Sequence, residues 1–382
     1  MTRRRFLSAT GSTATAAALL SALSSCGSPR TSSSPGTRDS GAVTLGVLPF
    51  LDYVAWQATK HLGIDKTIDL QLELQQFSLE PGETTALARG TCDVASGALG
   101  SLVPLQPKTP DMRIIGTTSQ FRGFAFIVRS EDGFRPYAPP ADGAAQKEAS
   151  KAAIAQLRGK KIVTIPSSFQ ATIDGTLTTA GLTEKDVTIL SFDQSASAAI
   201  AFIRGEGDVF LGGLPETVRL LTGANKGKYL PLVQNQQIGE AGLWYSNFAT
   251  TTKMLDQRHE IVLKLIAVWY RTARYIRERP DDALGPMVDY LNRQTGGGLT
   301  LQDAKNQIPA FVYFPTLDEA KKTVYDSTSD TYWRKCFDYQ AAANEKAGHV
   351  PAGFPADWII AENLFTELLG KKELVDFVNS SL

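Results

Sequence analysis

Apolar and polar positions along this chain follow two rhythms, a short alternation and a helical period, and the two take turns. Residues 43–48 (Val-Thr-Leu-Gly-Val-Leu) are a short apolar run ended by Pro49-Phe50, which predicts a strand. The pattern then predicts a helix over 53–61 followed by Gly63, a strand over 70–77, a helix over 83–89 stopped by Gly90, and a third short strand over 93–96. Two extended pieces follow at 113–118 and 123–128, then a polar, Pro/Ala-rich surface excursion over 131–143 and a helix over 144–157. The alternation restarts with a strand over 161–165, a turn over 166–170, a helix over 172–180 and a strand over 187–190. A helix over 196–204 and a strand over 208–211 complete it. From 258 the chain turns helical: Ile261, Leu265, Val268, Trp269, Ala273 and Ile276 share one face, and Pro280 ends the segment. Later helices are predicted over 301–308, 317–336 and 357–369.

Strand–helix alternation of this kind implies an α/β protein with mainly parallel sheets covered by helices. Ligand-contacting loops then sit at the carboxyl ends of the strands. In the first unit these are residues 49–52, 78–80 and 96–98. The second unit repeats the order of elements without repeating the sequence.

Ahead of this pattern, Arg3, Arg4 and Arg5 precede a short apolar stretch and a small-residue exit, the arrangement of a secretory signal over residues 1–25. The apolar stretch, 14–23, is too short and too rich in Ser and Thr to span a bilayer. Leu23-Ser24-Ser25-Cys26 resembles a bacterial lipobox, which implies cleavage before Cys26 and lipid on its sulfur. Thr2-Arg-Arg-Arg-Phe-Leu7 resembles a twin-arginine (Tat) export motif. Residues 26–40, mostly Ser, Thr, Pro and Gly, then read as a flexible tether. The expected location is extracytoplasmic, anchored to the bacterial membrane through Cys26. Several acyl chains on one cysteine hold far more firmly than a single chain.

The formal charge is zero over 382 residues, and loss of the signal leaves a slightly acidic chain. That excludes a basic nucleic-acid footprint. The length suits two domains of ordinary size. Cys92 and Cys336 remain after Cys26; export permits a disulfide, but two buried thiols acting as small apolar residues is the favoured reading. His61, His259 and His349 are widely spaced and lack cysteine neighbours, so no metal site and no cofactor are expected.

Several segments in order resemble a known family. Residues 87–95 (Leu-Ala-Arg-Gly-Thr-Cys-Asp-Val-Ala), 157–163 (Leu-Arg-Gly-Lys-Lys-Ile-Val), 165–168 (Ile-Pro-Ser-Ser), 180–187 and 267–276 carry the likeness. Together they are similar to the nitrate/sulfonate/taurine and thiamine-precursor branch of ABC-transporter substrate-binding proteins. Residues 165–168 lack the glycine usual in that family's turn. The resemblance implies a periplasmic-binding-protein type 2 fold with a ligand cleft between two lobes. Lobe 1 would comprise 41–118 plus 242–382, and lobe 2 residues 119–241. The crossovers would run through 117–120 and 243–245. The implied partners are a small-molecule solute and a membrane permease, with the protein working as a monomer.

Candidate ligand residues follow from the loops. Ser167 and Ser168 stand ahead of a helix, where they either meet an anionic or carbonyl group or cap the helix. Ser96 and Gly97 offer a matching site in the first unit, or a tight turn. Thr118 lies in the first crossover. Phe50, Phe169 and Trp244 would suit a planar or apolar ligand body, against the alternative of core packing. Glu216 either accepts from an amino group or cation, or is a solvated carboxylate in the first turn of a helix. A sulfonate, an aromatic carboxylate or an aminopyrimidine-like solute fits this set. No catalytic constellation stands out. The competing readings are an enzyme on the same fold (pyrimidine-synthase-like or menaquinone-pathway-like) and a tethered ligand sensor.

Overall fold

The computed structural model describes residues 41–382 except 79, 142–144 and 296–297. The expected signal peptide, the tether and Cys26 lie outside the described residues.

The strands, in chain order, are β1 (Ala42–Val47), β2 (Gln71–Gln76), β3 (Ala95–Ala98), β4 (Met112–Phe121) and β5 (Ala125–Arg129). After them come β6 (Lys161–Thr164), β7 (Thr188–Ser191), β8 (Val209–Phe210), β9 (Tyr229–Gln234), β10 (Tyr245–Thr251) and β11 (Val312–Tyr313). They form a parallel β1-β2 pair, an antiparallel sheet of order β11-β4-β10-β3, and a mixed sheet of order β7-β6-β8-β5-β9. Helices flank all three, so the chain is α/β. In the parallel ladders, β1-β2 and β7-β6-β8, consecutive strands are joined through a helix. The antiparallel pairs are β10 with β3 and β4, β11 with β4, and β5 with β8 and β9, while the chain passes between sheets at β4 into β5 and at β9 into β10.

Two bodies of buried apolar side chains result. The first core draws on residues 43–115 and 243–378. Its centre is an aromatic knot in which Trp56, Trp269 and Phe248 lie with ring centroids 4.9–5.2 Å apart. The second core occupies residues 124–238 and sits on both faces of the five-stranded sheet. Successive β5 side chains alternate between those faces: Phe126 and Val128 pack toward Ile154 and Ile173, Ala125 and Ile127 toward Ala199 and Phe202.

Local rules account for most boundaries. Helix Ala55–Leu62 ends because Gly63 takes φ +65° and its N–H returns to the Thr59 and Lys60 carbonyls. The long helix Thr252–Glu278 starts earlier than the apolar stripe suggests. Thr251 caps it by accepting from the Met254 N–H, and the backbone leaves helical geometry at Arg258 before the stripe begins. Pro280 ends this helix but also opens the next, Pro280–Thr295, where its missing N–H is harmless. The expected turn over 166–170 is instead the start of helix Pro166–Thr179, for the same reason. The helix expected over 317–336 is two, Leu317–Thr323 and Trp333–Lys346. Asp326 interrupts it by accepting from the N–H and hydroxyl of Thr328.

Cys92 and Cys336 are separate buried thiols, each donating to a backbone carbonyl, Val94 and Leu243 respectively. Burial pushes both up to about 12, so neither is a reactive thiolate. Among the described residues, no helix is long and apolar enough to cross a membrane.

Candidate functional site

A cleft of about 2440 Å³ opens between the two cores. Strands β4 and β10 carry the chain across, side by side, with Tyr245 opposite Gln120 and Ser246 opposite Ser119. At the end of β4 the Phe121 N–H donates to the Trp244 carbonyl at 2.8 Å. Asn235 pins the crossing: it accepts from the Phe124 N–H at 2.6 Å and donates to the carbonyls of Phe121 and Gly242.

The aromatic wall grows from this crossing. Phe124 takes edge-on contacts from Phe121, Trp244 and Phe169 at centroid distances of 4.8, 5.1 and 5.3 Å, and all four line the cleft. Phe169 sits in the first turn of helix Pro166–Thr179, and Trp244 precedes β10. On the first-core side, Phe50 follows β1, is 46% exposed, and meets Tyr53 edge-on.

The first-core wall is acidic. Asp52, Tyr53, Glu80 and Ser101 line it. Asp52 is 5% exposed and accepts from the Ser246 hydroxyl. Burial pushes its carboxyl up to about 6, against that hydrogen bond, with Glu80 adding to the rise. Glu80 accepts from the Ala98 N–H at 3.0 Å and the Tyr53 hydroxyl at 3.2 Å. Burial raises it as well, opposed by these bonds and by the Ser101 hydroxyl. One helical turn on, Glu83 is fully buried and accepts from the Ser96 N–H at 2.6 Å, while its Oε2 has no hydrogen-bond partner among the described residues. Burial and the nearby Glu80 push it to about 8.

A third side is closed by helix Trp333–Lys346. The Tyr339 hydroxyl donates to the Ala171 carbonyl, and Lys346 pairs with Asp174 at 3.3 Å, so a first-core helix holds the helix Pro166–Thr179. Gly175 makes the approach possible: a Cβ there would lie 2.0 Å from the Tyr339 oxygen and 2.4 Å from the Ala241 Cβ.

The sequence-derived candidates divide. Phe50, Phe169 and Trp244 line the cleft. Ser96, Gly97 and Thr118 do not. The Ser96 hydroxyl donates to the Gly46 carbonyl, a Cβ at Gly97 would strike Leu102, and the Thr118 hydroxyl donates to the Ser246 carbonyl. All three are committed to the sheets that support the wall. Glu216 is also off the cleft wall; its carboxylate accepts from the Ser195 hydroxyl, while neighbouring Leu214 and Arg219 face the cavity. Ser167 and Ser168 contribute backbone to the helix that carries Phe169, but their side chains lie outside the described residues. Asp52 and Glu80 were missed as site residues although both fall in the strand-end loops. The signal was an acidic residue in such a loop, which is ordinarily solvated.

Residues 138–283 match the family model described as NMT1/THI5 like. Among solved structures, the periplasmic aliphatic sulphonate binding protein SsuA from Escherichia coli is 15% identical. The match covers 85% of this chain and 99% of that one, with a TM-score of 0.62. The SsuA protein of Methylobacillus flagellatus, a putative periplasmic sulfonate-binding protein, is 12% identical over 88% of this chain and 96% of its own, with a TM-score of 0.59. The desulfurization enzyme DszB also shares the fold, at 13% identity over 86% of this chain and 99% of its own and a TM-score of 0.52. No curated protein matches the chain in sequence. The chain is an α/β protein of the periplasmic-binding-protein fold that carries an NMT1/THI5-like domain over residues 138–283.

Proposed function

We propose that this chain is the extracytoplasmic solute-binding component of an ABC importer. It captures one small organic solute by closure of two lobes, residues 41–118 plus 242–382 and residues 119–241, and delivers it to a membrane permease. Residues 1–25 export it, lipid on Cys26 anchors it, residues 26–40 give it reach, and it works as a monomer. Strands β4 and β10 act as the hinge.

The observation that carries the reading is the cluster of Phe121, Phe124, Phe169 and Trp244, which lines a cleft between two separately packed cores. Such a wall suits the planar or apolar body of a solute. The neighbours named as solute-binding proteins support it, although the DszB likeness means that the fold alone does not exclude catalysis. Among the described residues, the cleft wall includes no cysteine. Cys92 and Cys336 are buried elsewhere, and His349 is the wall's only histidine among the described residues, hydrogen-bonded to Asn344.

A thermal-shift screen tests the proposal, because a ligand of the native state raises its melting temperature. Aryl amines, aryl sulfonates and aryl carboxylates are offered to the purified protein. At least one class should raise Tm at sub-millimolar concentration and be recovered unchanged. No shift with any class, or recovery of an altered compound, contradicts it.

A further inference from the structure

We infer that the solute carries a cationic nitrogen, a protonated amine or amidine, which Asp52 and Glu80 receive at the first-core end of the cleft. The inference rests on the solute-binding reading above and names the charge of what is bound.

The argument starts from an imbalance. Asp52 and Glu80 both line the cleft, and Glu83 lies one helical turn behind Glu80. Among the described residues, none of the three enters an ion pair. The basic side chains on the cleft wall among the described residues, Arg219, Lys346 and His349, are all exposed, and Lys346 is already paired with Asp174. A buried carboxylate without a counter-charge is expensive, and neighbouring carboxylates raise that cost. The chain nevertheless places two on the wall, Asp52 buried and Glu80 half-buried.

A ligand cation resolves the imbalance. Glu80 is held in place by the Ala98 N–H and the Tyr53 hydroxyl, and Asp52 by the Ser246 hydroxyl, so the acceptors are positioned before the solute arrives. Charge-assisted N–H···O bonds to such fixed carboxylates are among the stronger recognition contacts. A sulfonate or carboxylate group at this end would meet repulsion. An anionic group elsewhere on the same solute is compatible, because the opposite wall includes the first turn of helix Pro166–Thr179 with the positive end of its dipole.

Proton linkage follows. Asp52, which titrates near 6 in the empty cleft, faces Glu80 and Tyr53. A bound cation favours its ionised form and lowers that value. Affinity for a cation that stays protonated should therefore rise as pH increases through about 6.

The test compares benzylamine and benzamidine with benzenesulfonate and benzoate, which share the ring and differ in charge, by calorimetric titration of the purified full chain between pH 5 and 7.5. Expected are binding of the cations, stronger at the upper pH, and no binding of the two anions. Glu80→Gln and Asp52→Asn should each weaken cation binding at least tenfold, and neither should lower the Tm of the ligand-free protein at pH 7, since each removes a carboxylate without a counter-charge and keeps an oxygen to accept the same hydrogen bonds. Binding of the anions without the cations overturns this inference and leaves the solute-binding reading standing. Cation binding that both variants retain in full also overturns it. Absence of all binding removes the solute-binding reading and this one with it.

Discussion

Asp52, Glu80 and Glu83 set the chemistry of the cleft at the scale of single residues. Each is a carboxyl group held in its protonated form to higher pH than in water, chiefly by burial. A carboxyl raised in the folded state lends stability that is complete below its unfolded value and lost as pH climbs through the folded one. For Asp52 that window runs from 3.8 to about 6, and for Glu83 from 4.5 to about 8. The empty protein should therefore lose thermal stability between pH 5 and pH 8. Glu83→Gln should flatten that decline by a few degrees, roughly what one or two kcal/mol moves Tm in a chain of this size. Tm measured against pH for both proteins checks this; parallel curves would mean that Glu83 does not titrate in the window. Glu319 acts in the opposite sense. Desolvation would raise it, but the Arg277 guanidinium and the Thr316 N–H outweigh that and hold it at about 2, so its contribution is present above 4.5 and lost as pH falls through about 2.

At the scale of elements, periodicity succeeded where packing and period agree. The strands of the second core were legible as short apolar runs because they are buried on both faces, and the apolar stripe of helix Thr252–Glu278 because it buries one. Failures cluster at proline and at local side-chain bonds. Pro166 opens a helix rather than a turn, Pro280 opens a second helix as well as ending the first, and the Asp326–Thr328 turn breaks a helix that its apolar spacing would continue. The contact between helices Trp333–Lys346 and Pro166–Thr179 could not be read at all, since it joins residues 168 apart in sequence through Tyr339 and Ala171. It has a consequence for closure. Gly175→Ala places a methyl group against Tyr339 and Ala241, and overpacking of this kind costs about 1–3 kcal/mol. The variant should melt lower and bind solute more weakly, because the two helices must part. Calorimetric melting with and without solute reads both effects; unchanged melting and affinity would show that the contact does not hold the cleft.

For the molecule as a whole, the α/β class followed from the order of elements and the cleft between two bodies from the family resemblance, while the identity of its lining followed from neither. Aromatic residues near strand ends were recoverable, and Phe50, Phe169 and Trp244 do line the cavity. The acidic wall was not, because a carboxylate in a strand-end loop looks the same in sequence whether it is solvated or buried. Only the register of β1, β3 and β10 brings Asp52, Glu80 and Ser246 into one neighbourhood. Ser96, Gly97 and Thr118 illustrate the converse, with loop-like sequence spent on backbone support. The central claim is that this cleft holds one intact small molecule. Native mass spectrometry of the full chain, purified without added ligand and then titrated with benzylamine, tests that most directly. The account predicts a single adduct per chain whose mass on denaturing release equals that of the compound bound. Adducts of several molecules per chain, or a released compound of altered mass, would contradict it.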